Sequence, residues 1–178
     1  MTHSSGNPKF LTRKMGEKAI EAVFALLFSS NGEGPFGELI QPKRRDMAIV
    51  ILYPQMDTTE AAFPGGYSLQ CGLLASGHFG NVGDWEHDYV AIALSKASQH
   101  WDARRSDDSG GTPAHLLFEG DTPYWGSVNR QDIIVAASGI QPWFDRLAAG
   151  MVADLLIAMA HDAWENSDDK KNGVSFLT

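Results

Sequence analysis

Only one cysteine, Cys71, stands in 178 residues. A disulfide framework is thereby excluded, and no C-x-x-C redox or zinc motif exists. Basic residues are in deficit: 14 Lys and Arg face 22 Asp and Glu, a formal net charge of −8. Such a chain has no general electrostatic pull toward phosphate backbones or anionic lipid. No basic stripe with interleaved aromatics occurs, so nucleic acid is not an expected partner. Long apolar runs are also missing, Met47 to Tyr53 and Ile133 to Ala137 being short. The stretch Ala19 to Phe28 is short and contains Glu21, whereas a membrane span needs ~20 apolar residues. Met1 to Lys9 is polar and lacks the apolar segment of a secretory signal. These absences lead to the expectation of a cytoplasmic protein with a reduced thiol and no membrane partner. The H-E-x-x-H, P-loop and dinucleotide signatures are absent. The G-x-S-x-G elbow is absent too, since Ala136 and Ile140 flank Ser138 at the glycine positions.

What the chain does have is a core. Apolar residues make up 43%, with 9 Phe, 5 Trp and 4 Tyr, which excludes intrinsic disorder and fits one domain. The chain is expected to divide into a flexible arm over residues 1–10, a folded domain over 11–166 and a polar tail over 167–178. Leu11 to Phe28 has helical periodicity, with Thr12 placed to cap it. Met47 to Tyr53 is continuously apolar and β-branched in its middle, the pattern of a buried strand, and Pro54 is expected to stop it. Tyr67 to Leu73 alternates as a strand with one wet face. A glycine-rich loop through Gly77, Gly80 and Gly83 should follow. Trp85 to Arg104 reads as a second helix with an apolar stripe of Val90, Leu94, Ala97 and Trp101. Short strands are expected over His115 to Phe118, Tyr124 to Val128 and Asp132 to Ala137. Pro142 suits the first turn of a last helix. That helix is apolar on more than one side, so a partner subunit could supply its second cover. Helix, two strands, helix, strands and helix in that order point to an α+β sheet packed by helices rather than a doubly wound parallel sheet.

Several polar residues are placed where chemistry is conceivable. Lys96 and His100 lie one helical turn apart in a row with Tyr89 and Ala93, at the expected edge of the core. A lysine there is either a snorkelling surface residue or, if desolvated, an anion anchor or base. His87 sits among Asp84, Glu86 and Asp88. The four cannot ligate one ion together, because neighbours on a helix point about 100° apart. The plain alternative is acidic residues serving a helix N-terminus. Ser138-Gly139 ends a buried strand just before a helix, where backbone N–H groups can hold an anion. His78, in the glycine-rich loop, is free to ligate a metal or haem iron. Lys43-Arg44-Arg45 reads as a solvated turn.

The second half resembles the GlcG/HbpS-like family. The carriers are Ile92-Ala93-Leu94-Ser95-Lys96-Ala97, then Gly120-Asp121-Thr122-Pro123, then Asp132 to Gly139, then Asp145 with Ala148-Ala149. Asp121 stands where the family has the second glycine of its Gly-Gly-x-Pro loop, and Ala137 where it has valine. The resemblance implies a profilin-like antiparallel sheet flanked by helices, and homo-oligomers through the C-terminal helix. It also implies a small-molecule or cofactor-binding protein, with haem the first named cofactor and His78, His87, Lys96, Ser138 and Gly139 as binding candidates. The alternative is a small enzyme, hydrolase or isomerase-like, acting on an organic acid or ring-cleavage intermediate, with Lys96, His100 and Asp145 as catalytic candidates. No metal site is expected.

Overall fold

The computed structural model describes residues 7–28, 44–57, 68–106, 110–175 and 177. They form one mixed α+β domain. Helix α1 (Arg13–Leu27) begins where Thr12 accepts a hydrogen bond from the Met15 N–H, as its sequence position predicts. Strands β1 (Met47–Asp57), β2 (Ser68–Phe79), β3 (Ser127–Arg130) and β4 (Ile133–Ser138) build a wholly antiparallel sheet in the order β2-β1-β4-β3. Helix α2 (Tyr89–Trp101) covers one face. Helices α1 and α3 (Pro142–Glu165) cover the other.

Alternation along the central strands divides the core between these layers. Met47, Ile49, Ile51, Val135 and Ala137 meet α1 and α3. Val50, Leu52, Ile134 and Ala136 meet Ala93 and Ala97 of α2. Ser138 continues the second series, so strand parity turns it toward α2.

Six local expectations are corrected. Pro54 does not end β1, which pairs with β2 through Asp57. Pairing with β4 stops at Leu52, so Pro54 stands where that side of the strand is an edge and no ladder donor is needed. The expected loop at Gly77 and His78 is instead the end of β2. Gly77 is there because α1 packs directly on the strand: a Cβ would lie 2.8 Å from Ile20 Cγ2. Helix α2 starts after Asp88, whose carboxylate accepts from the Ala91 N–H at 2.9 Å, and not at Trp85. Its buried row is Tyr89, Ala93, Lys96, Ala97 and His100, while Leu94 is 37% exposed. The expected strand at His115 to Phe118 is a single 3-10 turn, Ala114–Leu116, and β3 begins at Ser127 rather than Tyr124.

The segments flanking the domain, residues 7–10 and 164–169, are tied together. Beyond α3 a short helix α4 (Asp168–Asn172) forms within the expected polar tail, and its buried Asp169 pairs with Lys9. Phe10 packs edge-on against Trp164 with centroids 5.3 Å apart. Asn7 accepts from Tyr53 and Gln55. Among the described residues α3 is the one helix long and apolar enough to cross a membrane by length and composition, and its inner face packs on the sheet and α1.

Candidate functional site

The end of β4 is where the two helical layers meet. Gly139 leaves the sheet with φ +142°, and a Cβ there would fall 2.1 Å from the Asp46 carbonyl oxygen, so only glycine allows the turn. The chain then enters α3 at Pro142, which brings Asp145 into the first turn. Asp145 reaches across the end of the sheet to Lys96 of α2. Lys96 Nζ lies 3.0 Å from Asp145 Oδ2, and the two side chains are 1% and 3% exposed.

Each member of the pair is held by further bonds. Lys96 Nζ donates to the Ala137 carbonyl at 2.7 Å, and Asp145 Oδ1 accepts from the Ile140 N–H at 3.3 Å. An ammonium has three donors, and these contacts use two of them among the described residues. Burial pulls the Lys96 ammonium below its ordinary pKa, opposed by the Asp145 charge. Burial likewise pushes the Asp145 carboxyl up, opposed by Lys96. Both groups are thus held closer to their neutral forms than exposed groups would be. Gly126 closes over them: at φ +131°, its Cβ would lie 2.5 Å from Asp145 Cβ and 3.2 Å from Lys96 Nζ.

A pocket of about 250 Å³ opens onto this pair. Ser138, Gly139 and Ile140 form one wall, Tyr89 and Ile92 another, and Arg44, His87 and Tyr124 also line it. The first residues of both α2 and α3, Tyr89 and Pro142, border it, so two positive helix ends converge there. Its charged lining is Arg44 and Lys96 against one carboxylate, Asp145, in a chain of net charge −8. Arg44 donates to Tyr89 Oη at 3.0 Å and pairs with Glu86 at 2.5 Å. Ser138 Oγ makes no hydrogen bond among the described residues.

Five of the candidates therefore come together: His87, Lys96, Ser138, Gly139 and Asp145. His78 and His100 do not line the pocket. His78 is exposed on β2, edge-on to Trp85 at 5.9 Å. His100 is buried one turn beyond Lys96, with Nδ1 3.0 Å from Ser127 Oγ. Of the acidic residues around His87, Asp88 has the plain role and caps α2, whereas Asp84 accepts from Asn81 Nδ2 and Glu86 pairs with Arg44. Among the described residues no group of three His, Cys, Asp or Glu side chains could hold a metal.

Arg44 is exposed, as the solvated reading of its cluster has it, but it also borders the pocket, and Gly126 beside the pair is marked by no motif. Tyr124 has the sequence pattern of a strand but lies in the loop before β3. Comparison with family models, curated proteins and solved structures gives no match.

Proposed function

We propose that this chain binds a small organic acid at the junction of α2, β4 and α3. The observation that carries the reading is the buried Lys96–Asp145 pair with an unused ammonium donor at the pocket. The two helix N-termini and Arg44 add positive potential at the mouth. A ligand carboxylate would take the free N–H of Lys96 or the Arg44 guanidinium. Tyr89 and Tyr124 would flank its body. The layered helix–sheet–helix arrangement and the position of Lys96, Ser138-Gly139 and Asp145 support a profilin-like domain of the GlcG/HbpS-like type.

An enzyme acting on such an acid is the second reading. It is favoured by two buried titratable groups held toward neutrality beside a free hydroxyl on Ser138. Lys96 and Asp145 could exchange a proton with a bound acid, the arrangement that general acid–base chemistry needs. Haem has less support. The pocket volume of about 250 Å³ suits a small acid rather than a macrocycle, and ligand clefts usually span ~300–1,000 Å³. His78 and His100 stand away from it, and His87 is an exposed residue at its rim.

The test is calorimetric titration with a panel of mono- and dicarboxylates, with haemin run in parallel by absorbance. A saturable carboxylate isotherm weakened about tenfold or more by Arg44→Gln supports the reading. No saturable binding of any carboxylate, or a sharp haem Soret band lost in His87→Ala, overturns it.

A further inference from the structure

Among the described residues no fully buried side chain is larger than that of Lys96. Its neighbours on the helix, Ala93 and Ala97, are fully buried, yet Lys96 lines the pocket beside Asp145. Stability alone is a poor reason for a lysine there. A buried ion pair costs desolvation that its attraction repays only with good geometry, and an apolar side chain of similar volume is often no less stable. Lys96 is also a weak anchor for an anion, because Asp145 at 3.0 Å already meets its charge. Arg44 suits that task better. It is exposed at the same pocket, and its partner Glu86 stands outside the lining.

What the pair does supply is an amine that can be unmasked. Burial draws both Lys96 and Asp145 toward their neutral forms. A proton can therefore pass between them across 3.0 Å. A desolvated neutral lysine is the nucleophile of imine chemistry. The Ala137 carbonyl, 2.7 Å from Nζ, holds the amine in place. Ser138 lines the same pocket, and its hydroxyl has no hydrogen bond among the described residues.

We propose that Lys96 attacks the carbonyl carbon of a small 2-oxo acid and holds it as a protonated imine, with Asp145 carrying the proton and Arg44 facing the carboxylate. The inference rests on acid binding at this pocket and names which acids. In such an acid the carboxylate suits the positive lining, and it makes the adjacent carbonyl carbon electrophilic. Asp145 first takes one proton from the Lys96 ammonium. The nitrogen lone pair bonds to the carbonyl carbon while the C=O π pair moves to oxygen, toward which Ser138 Oγ–H would donate. That oxygen collects one proton from Nζ and the one held by Asp145. The C–O bond breaks, water leaves, and the nitrogen lone pair closes the C=N bond. Nζ keeps one proton and the positive charge, and Asp145 is again a carboxylate. No oxidant or reductant is consumed.

Reductive trapping on the wild-type chain tests it. The protein is incubated at pH 7 with pyruvate, 2-oxobutyrate or 2-oxoglutarate and cyanoborohydride, then mapped by peptide mass spectrometry. With pyruvate, Lys96 should gain the mass of one pyruvic acid less one oxygen atom. It should be labelled about tenfold or more faster than any exposed lysine, because those stay protonated at this pH. Labelling should saturate with pyruvate, and Arg44→Gln should raise the half-saturating concentration about tenfold. Lactate, which lacks the carbonyl, should compete and leave no adduct. No Lys96 adduct from any of the three acids, adducts spread over the exposed lysines alone, or labelling that does not saturate would each overturn the proposal. An unchanged half-saturation in Arg44→Gln would overturn the placement of the carboxylate. Saturable lactate binding by calorimetry without a Lys96 adduct would overturn the imine and leave acid binding standing. Absence of both binding and adduct would remove the two together.

Discussion

Lys96 and Asp145 lie 49 positions apart in the chain, on opposite layers of the fold, and meet 3.0 Å apart at the end of the sheet. Neither layer places them alone. Lys96 is buried because α2 turns Ala93 and Ala97 onto the sheet, which carries the row between them inward. Asp145 is there because Gly139 permits a sharp exit from β4 and Pro142 starts α3 at once. The pair therefore reports on the correct assembly of both layers, and it is also the floor of the pocket.

Breaking the pair from one side should be costly. Lys96→Met leaves a buried carboxylate unpaired, and Asp145→Leu leaves a buried ammonium. Each should lose about 3–5 kcal/mol in urea denaturation. The double variant Lys96→Met with Asp145→Leu should lose less than either single change, because no charge is then left uncompensated. Losses in the double variant equal to the sum of the singles would show that the two residues do not act as a unit.

Gly126 and Gly120 offer a matched comparison. Both have positive φ, at +131° and +87°. A Cβ at Gly120 meets nothing within 4 Å, while one at Gly126 strikes Asp145 Cβ at 2.5 Å. Gly120→Ala should carry only backbone strain, about 1–3 kcal/mol. Gly126→Ala should cost more and should also weaken carboxylate binding, since the new methyl displaces the pair. Equal thermal shifts and equal affinities in the two variants would count against Gly126 as the cover of the site.

Much of this was legible locally and some was not. Thr12, Pro142 and the run Met47 to Tyr53 mark elements through caps and unbroken apolar character, and the structure uses them so. Lys96, Ser138, Gly139 and Asp145 converge as candidates because each sits at an element end or on a core-edge row. The buried face of α2 was not legible. Its two possible rows differ by a small rotation, and the one containing Lys96 and His100 looks too polar until Asp145 and Ser127 supply partners from distant segments. Gly77 reads as a loop residue, because the close approach of α1 that demands it is tertiary. Arg44 is solvent-facing as its sequence suggests, but its place at the pocket was not legible, since its partners Glu86 and Tyr89 lie more than forty positions away.

His100 gives the protein an acid-sensitive element. Burial, with the nearby Arg105 charge second, lowers its pKa from 6.5 to about 4. The unfolded chain therefore binds a proton below pH 6.5 that the folded chain refuses until about pH 4. Stability is unaffected above the unfolded value and falls as pH drops through this window, by about 3 kcal/mol at its foot. Denaturation midpoints measured from pH 7 to pH 4 should fall more steeply for the wild type than for His100→Gln. Parallel curves would show that His100 titrates normally.

Arg105 secures the wall of the pocket from behind. Its side chain is buried, and its guanidinium donates to Thr112 Oγ1 at 3.1 Å, Ser127 Oγ at 3.2 Å, Gln99 Oε1 at 2.9 Å and the Tyr124 carbonyl at 3.1 Å. These partners come from α2, β3 and the segment between them, so one side chain fixes that segment on the helix. No carboxylate lies within ion-pair distance of Arg105 among the described residues, and burial lowers its pKa to about 10. It remains charged at neutral pH, and its value to the fold is the planar fork of donors. Arg105→Met should take the guanidinium donor from the Tyr124 carbonyl and leave Gln99 Oε1 with Thr112 Oγ1 alone, at a cost of about 2–4 kcal/mol. Lysine cannot reproduce the fork, so Arg105→Lys should recover little of that loss. Because Tyr124 lines the pocket, both variants should bind a carboxylate more weakly and be cut faster by protease between residues 110 and 126. Unchanged proteolysis with an intact binding isotherm would show that the segment is held by its other contacts, chiefly Arg104 with Asp121.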